Sequence, residues 1–343
     1  IMARLVNFCL SSLPWLIIAG LLWAGIFIKP QAAGTTVDPP VIERSDAFYG
    51  IVLPAPKQLW AVGNNGKVIH SADGGVSWVV QKITRATHLQ DVAAWDAKHL
   101  VAVGNDGTVV VTDDGGHQWH EWRVDFLPAA VNKLLRVKTV AGGQAWAVGE
   151  MGALLHSADY GKNWERQRVE QDIAFNDVLM INERQGWVVG EAGSMLHTTD
   201  GGRNWDVRVP VVRSSLMAVA FRDAENGVAV GLEGVILVTH DGGRNWIQHA
   251  ATRQGAAAIP LKLHLYDVVW DAERGRWFVV GDQGIYVSAD AAGTVWEGDK
   301  LGPREGAWHT RIISGNGQLY LAGATIGEWA GQGGSWRRFG ASN

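Results

Sequence analysis

The stretch GWVVGEAGSMLHTTDGGRNW, Gly186–Trp205, carries the organisation of the whole chain. Two short β-rich runs, WVVG and SMLHT, flank the turn pair Glu191-Ala192. A second turn follows, read as hydroxyl, spacer, Asp, Gly, Gly, two spacers, Trp. Clear copies of this phrase stand at Ser71–Trp78 (SADGGVSW), Thr112–Trp119 (TDDGGHQW), Ser157–Trp164 (SADYGKNW), Thr198–Trp205 (TTDGGRNW) and Thr239–Trp246 (THDGGRNW). A sixth, Ser288–Trp296 (SADAAGTVW), has one extra residue, and a seventh, ending at Trp336 (AGQGGSW), has lost the Asp. The closing tryptophans are 41, 45, 41, 41, 50 and 40 residues apart. That period is near the length of one four-stranded blade. The expected fold is all-β: a seven-bladed β-propeller with four-stranded antiparallel blades, from about Phe48 to Phe339.

One unit reads FNDVLMI as strand A, GWVVG as B, SMLHT as C, and D from the box Trp. A glycine closes strand B in every repeat: Gly63, Gly104, Gly149, Gly190, Gly231, Gly281 and Gly323. Another follows three residues later in six repeats, as in Gly66 and Gly193, and four residues later in the seventh, Gly327. Pairs such as Asn64-Asn65 and Asn105-Asp106 between them mark tight turns. A meander of this kind places the A–B loops and the box turns on one face. The B–C turns and the D–A connections share the other.

The 343 residues carry a net charge of −4, which argues against a basic nucleic-acid surface. The single cysteine, Cys9, permits no disulfide and no cysteine metal site within the chain. Residues 6–28 are largely apolar, and LPWLIIAGLLWAGIFI (Leu13–Ile28) carries no charge. This is long enough to span a hydrocarbon core of ~30 Å. A cleaved signal peptide needs small residues soon after such a run, and Lys29–Gly34 offers a poor version. Residues 1–29 are therefore expected to be a single transmembrane helix in the inner membrane, with the propeller in the periplasm. Residues 30–47, with Pro30, Pro39 and Pro40, read as a linker, and 48–343 as the propeller.

The repeated residues read first as structure. Asp73, Asp114, Asp159, Asp200, Asp241 and Asp290 are placed to accept backbone N–H groups in their own turns, and Trp78, Trp119, Trp164, Trp205, Trp246 and Trp296 to pack between sheets. An enzyme needs one site, not six. His70, His156 and His197 occupy equivalent positions in different blades, which separates them and argues against a zinc site. Asp91, Asp177 and Asp267 fall in strand A, which lines the channel. They either converge there or satisfy local backbone donors, the simpler reading.

The D–A connections carry Arg85, Arg168, Arg213, Arg253 and Arg304, with Lys133 in the remaining one. The neighbouring B–C turns carry Asp106, Glu150, Glu191, Glu233 and Asp282. This face is either a self-neutralising solvated surface or a docking face in which Arg anchors a partner. The long sixth connection, Ala250–Leu263, is a plausible contact loop. No Gly-x-Ser-x-Gly, His-Glu-x-x-His or phosphate-binding loop occurs, so no catalytic residue, metal or cofactor is assigned.

The strings Gly186–Trp205 and WAVGNNGKVIHSADGGVSW (Trp60–Trp78) resemble the BNR/Asp-box repeats of seven-bladed propellers similar to the photosystem II stability and assembly factors. The resemblance runs from about Phe48 to Phe339. It implies a non-enzymatic extracytoplasmic scaffold that holds a membrane-protein subunit during assembly. Members in non-photosynthetic bacteria accompany RND-type transporters, which implies such a transporter as the integral membrane partner. Plant and cyanobacterial members have an arginine-rich face, for which Arg85, Arg168, Arg213, Arg253 and Arg304 are the positional counterpart. A glycan- or lipid-binding propeller is the alternative. Sialidases share Asp-boxes, but their Arg-Ile-Pro motif is missing, and only five tyrosines are present.

Overall fold

The computed structural model describes residues 14–15, 17–23, 40–83, 86–124, 126–128, 130–253, 262–331 and 333–340. The chain divides into a unit at Ile1–Pro40 and a second at Val41–Asn343. In the first, residues 14–15 and 17–23 are helical and exposed. Among the described residues no helix is long and apolar enough to cross a membrane. The rest of the expected anchor, and most of the linker, lie outside the described residues.

The second unit forms seven antiparallel meanders. Blade 1 is β1 (Phe48–Ala55), β2 (Gln58–Gly63), β3 (Val68–Ser71) and β4 (Val79–Gln81); blade 2 is β5 (Leu89–Ala94), β6 (Leu100–Gly104), β7 (Thr108–Thr112) and β8 (His120–Arg123). Blade 3 is β9 (Leu134–Val140), β10 (Gln144–Gly149), β11 (Leu154–Ser157) and β12 (Glu165–Arg166); blade 4 is β13 (Phe175–Met180), β14 (Gly186–Gly190), β15 (Met195–Thr198) and β16 (Asp206–Arg208). Blade 5 is β17 (Leu216–Phe221), β18 (Gly227–Gly231), β19 (Ile236–Thr239) and β20 (Ile247–His249). The chain then makes β21 (Ala251–Arg253) before blade 6, which is β22 (Leu265–Asp271), β23 (Arg276–Gly281), β24 (Ile285–Asp290) and β25 (Trp296–Lys300). Blade 7 is β26 (His309–Gly315), β27 (Gln318–Gly323), β28 (Ile326–Trp329) and β29 (Trp336–Arg338). The first strand of each blade contacts the first strand of the next, and β26 contacts β1, so the A strands ring the channel.

Three details depart from the sequence reading. Strand D begins after the box Trp in blades 1 to 5 and at it only in blades 6 and 7. Blade 6 has a fifth strand, because β21 pairs parallel with β25, Ala251 opposite Trp296. Part of the expected contact loop is thus a strand; residues 254–261 lie outside the described residues. In blade 7 the turn is Ala324-Thr325, and Gly327 lies inside β28 opposite Arg338. A Cβ there would meet the Arg337 carbonyl oxygen and then the Trp336 ring, so Gly327 makes room for the neighbouring strand rather than for a turn.

The strand-B glycine has one cause in every blade. The residue before strand A turns its carbonyl across this glycine to accept the next backbone N–H. The pairs include Asn64 N to Ala47 O (3.0 Å), Asn105 N to His88 O (2.9 Å), Glu191 N to Ala174 O (2.9 Å) and Ala324 N to Trp308 O (3.1 Å). A Cβ on the glycine would overlap that carbonyl oxygen. The contact produces the bulge seen at the start of strand A, as between Phe175 and Asp177.

The core is divided into slabs between adjacent blades. One example joins Val148, Leu154, Phe175, Val178 and Leu196 across blades 3 and 4. Strand B carries a buried Trp in four blades: Trp60, Trp146, Trp187 and Trp277. The second box glycine of the following blade seats three of them: Gly116 on Trp60, Gly202 on Trp146 and Gly243 on Trp187. The box Trp completes each contact edge-on, at ring distances of 5.7 Å (Trp60–Trp119), 5.4 Å (Trp146–Trp205) and 5.6 Å (Trp187–Trp246). At the closure between blades 7 and 1, Phe339 takes this place against Gly75 and Trp78. The described residues 40–46 contribute no strand there. Val41 and Ile42 pack on the closing slab instead, and Lys67 pairs with Asp46 and Glu43.

Gly190→Ala is expected to cost at least about 3 kcal/mol, the upper end of overpacking penalties, because the obstacle is backbone. Gly306→Ala, with open space at its Cβ, should stay within about 0.5 kcal/mol of the parent. Urea denaturation followed by tryptophan fluorescence tests both, and equal midpoints would refute the account.

Candidate functional site

The Asp-box turn is closed on itself. In blade 4, Thr198 Oγ1 donates to Asp200 Oδ1 (2.9 Å) and accepts from Gly202 N (2.9 Å). Asp200 then accepts from Asn204 N (2.9 Å) and Asn204 Nδ2 (2.7 Å). The same pattern holds at Asp73, Asp114, Asp159 and Asp241. These bonds favour the carboxylate form. The Ser77 hydroxyl holds Asp73, and the backbone N–H groups of Asn204 and Asn245 hold Asp200 and Asp241, at a pKa of about 2 against an ordinary 3.8. Asp290 keeps one turn contact, from Gly293 N (3.1 Å), and Trp296 Nε1 donates to Gly293 O (2.7 Å). In blade 7, Gly331 stands where the Asp would be. Arg274 from blade 6 sits against it and donates to Gly317 O (2.6 Å) and Ala330 O (3.0 Å).

His70, His156 and His197 are kept apart, each against its own strand-B Trp at ring distances of 4.1, 4.5 and 4.4 Å, the first and last stacked and His156 tilted. Burial holds all three imidazoles below their ordinary pKa. Among the described residues no group of three His, Cys, Asp or Glu is arranged to hold a metal.

The strand-A acids do meet. The residue two after the start of strand A is Gly50, Asp91, Arg136, Asp177, Ala218, Asp267 and Arg311 in blades 1 to 7. Asp91, Asp177 and Asp267 each accept the strand-A N–H of the next blade, from Val137 (3.0 Å), Val219 (3.0 Å) and Ile312 (2.9 Å). Their other oxygens face two arginines. Arg136 reaches Asp177 (3.2 Å) and, across the channel, Asp267 (3.3 Å), while Arg311 reaches Asp91 (3.0 Å). Both readings of these acids hold at once: they satisfy backbone, of the neighbouring blade, and they converge. Burial works against the charge of Arg136, which is 1% exposed, but Asp177, Asp267 and Asp91 outweigh it and raise its pKa above the ordinary value. The two arginines were not singled out in the sequence. The signal was present, an Arg at the Asp position of LLRV and HTRII, but a strand arginine reads as a surface residue until the ring is closed. The network separates a 470 Å³ vestibule, lined by Lys138, Arg222, Phe221 and Trp270, from a 130 Å³ one lined by Tyr49, Asn176 and Tyr266.

The five face arginines have different surroundings. Arg85 lies outside the described residues. Arg168 is half-buried, and its Nη1 donates to Trp205 O (2.8 Å) across the blade boundary. Arg213 and Arg304 are exposed in their connections, and Arg253 is exposed on β21, opposite Gly298 at the outer edge of blade 6. The turn acids cap the chain entering strand A: Glu150 accepts Lys133 N (2.9 Å), Glu191 accepts Ala174 N (2.8 Å), and Asp282 accepts the Tyr266 hydroxyl (3.0 Å). Of the face cations, Lys133 pairs with such an acid, Glu150 at 3.6 Å.

Asp267→Ala is expected to cost about 3–5 kcal/mol, because it strands a buried guanidinium. Adding Arg136→Met together with Asp177→Asn, so that no buried charge of the cluster is left unpaired, should recover most of that loss; a triple variant no more stable than the single one would refute a charge network. The Asp-box carboxylates have depressed pKa values, so their contribution is complete above pH 3.8 and is lost as pH falls through about 2. The stability gap between the parent and Asp200→Asn at neutral pH should therefore close in acid. A gap that persists there would mean that the turn does not use the charge.

A family model described as photosynthesis system II assembly factor YCF48 matches residues 76–174 and 167–249. The solved structure of YCF48 bound to a D1 peptide superposes with a TM-score of 0.65 and 17% identity, covering 81% of this chain and 91% of that one. YCF48 from Cyanidioschyzon merolae gives 0.65 and 17%, covering 83% and 95%. The WD40 propeller domain of Doa1 gives 0.63 and 10%, covering 83% and 93%. No curated protein matches the sequence. At these identities the superpositions establish the propeller alone. The family match spans half of the chain and covers four of the five boxes whose geometry is complete, those at Asp114, Asp159, Asp200 and Asp241. The chain belongs to the BNR-repeat propeller family of the photosystem II assembly factor YCF48.

Proposed function

We propose that this chain is a non-enzymatic accessory factor that binds an integral membrane protein and stabilises it or assists its assembly. Family membership carries the reading: a YCF48 has been solved with a D1 peptide bound, and D1 is a membrane protein. The state of the channel supports it. Sialidase-type chemistry needs arginines free to grip a substrate carboxylate, and here Arg136 and Arg311 are engaged by Asp177, Asp267 and Asp91.

The finer reading is that residues 6–28 anchor the chain in the inner membrane, that the propeller lies in the periplasm, and that the partner is an RND-type transporter. The apolar run and the resemblance to bacterial members are its support. Exposed Arg213, Arg253 and Arg304 are the contact candidates from the original set. Purification of the full chain in mild detergent is expected to bring down a large integral membrane protein, identified by mass spectrometry as an RND-type transporter. Recovery of the chain alone would overturn the accessory role. Recovery of a different membrane protein would overturn only the transporter assignment.

A further inference from the structure

The repeat breaks most clearly at blade 7, and a cleft opens beside the break. Aligned on the box Trp, blade 7 places Trp329 where the other boxes carry Ser or Thr, and Gly331 where they carry Asp. Trp329 offers no acceptor to the turn's N–H groups, and its indole Nε1 donates to Gly334 O (3.3 Å). It lies against blade 6 instead, 4.2 Å from the Tyr286 ring and 5.6 Å from Phe278. Between the outer strand of blade 6 and the rebuilt turn lies a cleft of 870 Å³. Its volume falls within the ordinary range of ligand sites.

The lining is cationic and aromatic. Lys300, Arg304 and Arg338 border the cleft and are exposed. None of the three forms an ion pair among the described residues, whereas neighbouring Arg337 is held by Glu328 at 2.8 Å. Two acids share the lining, so three cations stand against two carboxylates. Asp299 accepts Lys300 N (2.8 Å), and Glu305 accepts Trp336 Nε1 (2.7 Å) and Ala307 N (2.9 Å). The Glu305 contact fixes the half-buried Trp336 ring as one wall. Three exposed cations, without an ion-pair partner among the described residues and exceeding the two acids by one, stand around a fixed aromatic wall and complement a chain that carries carboxylates and apolar side chains together.

We propose that this cleft between blades 6 and 7 docks an extended acidic peptide segment of a protein partner, its carboxylates on Lys300, Arg304 and Arg338 and its apolar side chains against Trp336. The proposal rests on the accessory-factor reading and assigns it a surface. The probe is a fluorescein-labelled decapeptide alternating glutamate and leucine, titrated against the full chain by anisotropy; a lysine–leucine decapeptide is the control. The acidic peptide should bind, the basic one should not, and binding should weaken with salt. Arg304→Glu with Arg338→Glu should weaken binding at least tenfold with an unchanged melting temperature, since both side chains are exposed; Lys300→Ala serves as a milder second variant. Equal binding by parent and variants, or no binding of the acidic peptide, overturns the proposal. So does a labelled alginate oligomer that binds in the peptide's place and is lost in the double variant, which would make the cleft a site for acidic glycans. Detergent purification separates the two readings. A membrane protein recovered equally with parent and double variant sinks the cleft and leaves the accessory role standing. No membrane protein with either one sinks the accessory role, and the titration alone then judges the cleft.

Discussion

The propeller depends on one repeated contact, an aromatic ring on one blade pressed into a glycine hairpin on the next. A four-stranded sheet has two apolar faces and cannot bury either alone. Here the burial is supplied in slabs, and at three boundaries the same device registers the slab: a strand-B Trp, the second glycine of the following box, and the box Trp edge-on. The glycine is required because its backbone is left-handed and the indole lies against the space of a Cβ. The Asp, the hydroxyl and the Asn hold the hairpin in the shape that presents that glycine. The box is therefore a part of the joint between blades more than a stitch within one.

A ring built this way must also close, and among the described residues no strand is shared across the seam. Blades 1 and 7 are each complete from their own chain segment. Closure falls to Phe339 on Gly75 and Trp78, to Val41 and Ile42 on the closing slab, and to the charges inside the channel. Arg136 ties blade 3 to blades 4 and 6, and Arg311 ties blade 7 to blade 2. These pairs span the ring where the slabs cannot, because a slab joins neighbours only. The same network blocks the channel as a simple tunnel. Binding surfaces are then left to the faces and the rim.

The repeat period, the strand runs and the turn residues made the propeller and its seven blades legible from the sequence, because each is a local pattern repeated at fixed spacing. The box Trp and Asp were legible for the same reason. The strand-B tryptophans stood inside the quoted repeat without being separated from the box tryptophans, of which Trp78, Trp205 and Trp296 are buried and Trp119, Trp164 and Trp246 half-buried, since spacing does not report depth. Gly327 was read by spacing as a turn glycine and belongs to a strand, because blade 7 had replaced the turn. The parallel fifth strand of blade 6 had no local signal, as an edge strand needs only a free neighbour at the right distance.

What the sequence determined by itself is the architecture: a β-propeller, its blade count, and its membership in a family of scaffolds. Those follow from short-range backbone requirements, which a glycine, an Asp or a β-branched run states in place. Which charges meet was decided only by the tertiary structure. Asp91 and Arg311, or Arg136 and Asp267, stand more than a hundred residues apart, and their pairing depends on the ring bringing the A strands to one axis. The cleft beside blade 7 is of the same kind. Lys300, Arg304, Trp336 and Arg338 form one surface because blade 6 ends where the altered turn of blade 7 begins, a juxtaposition that exists only once the propeller is closed.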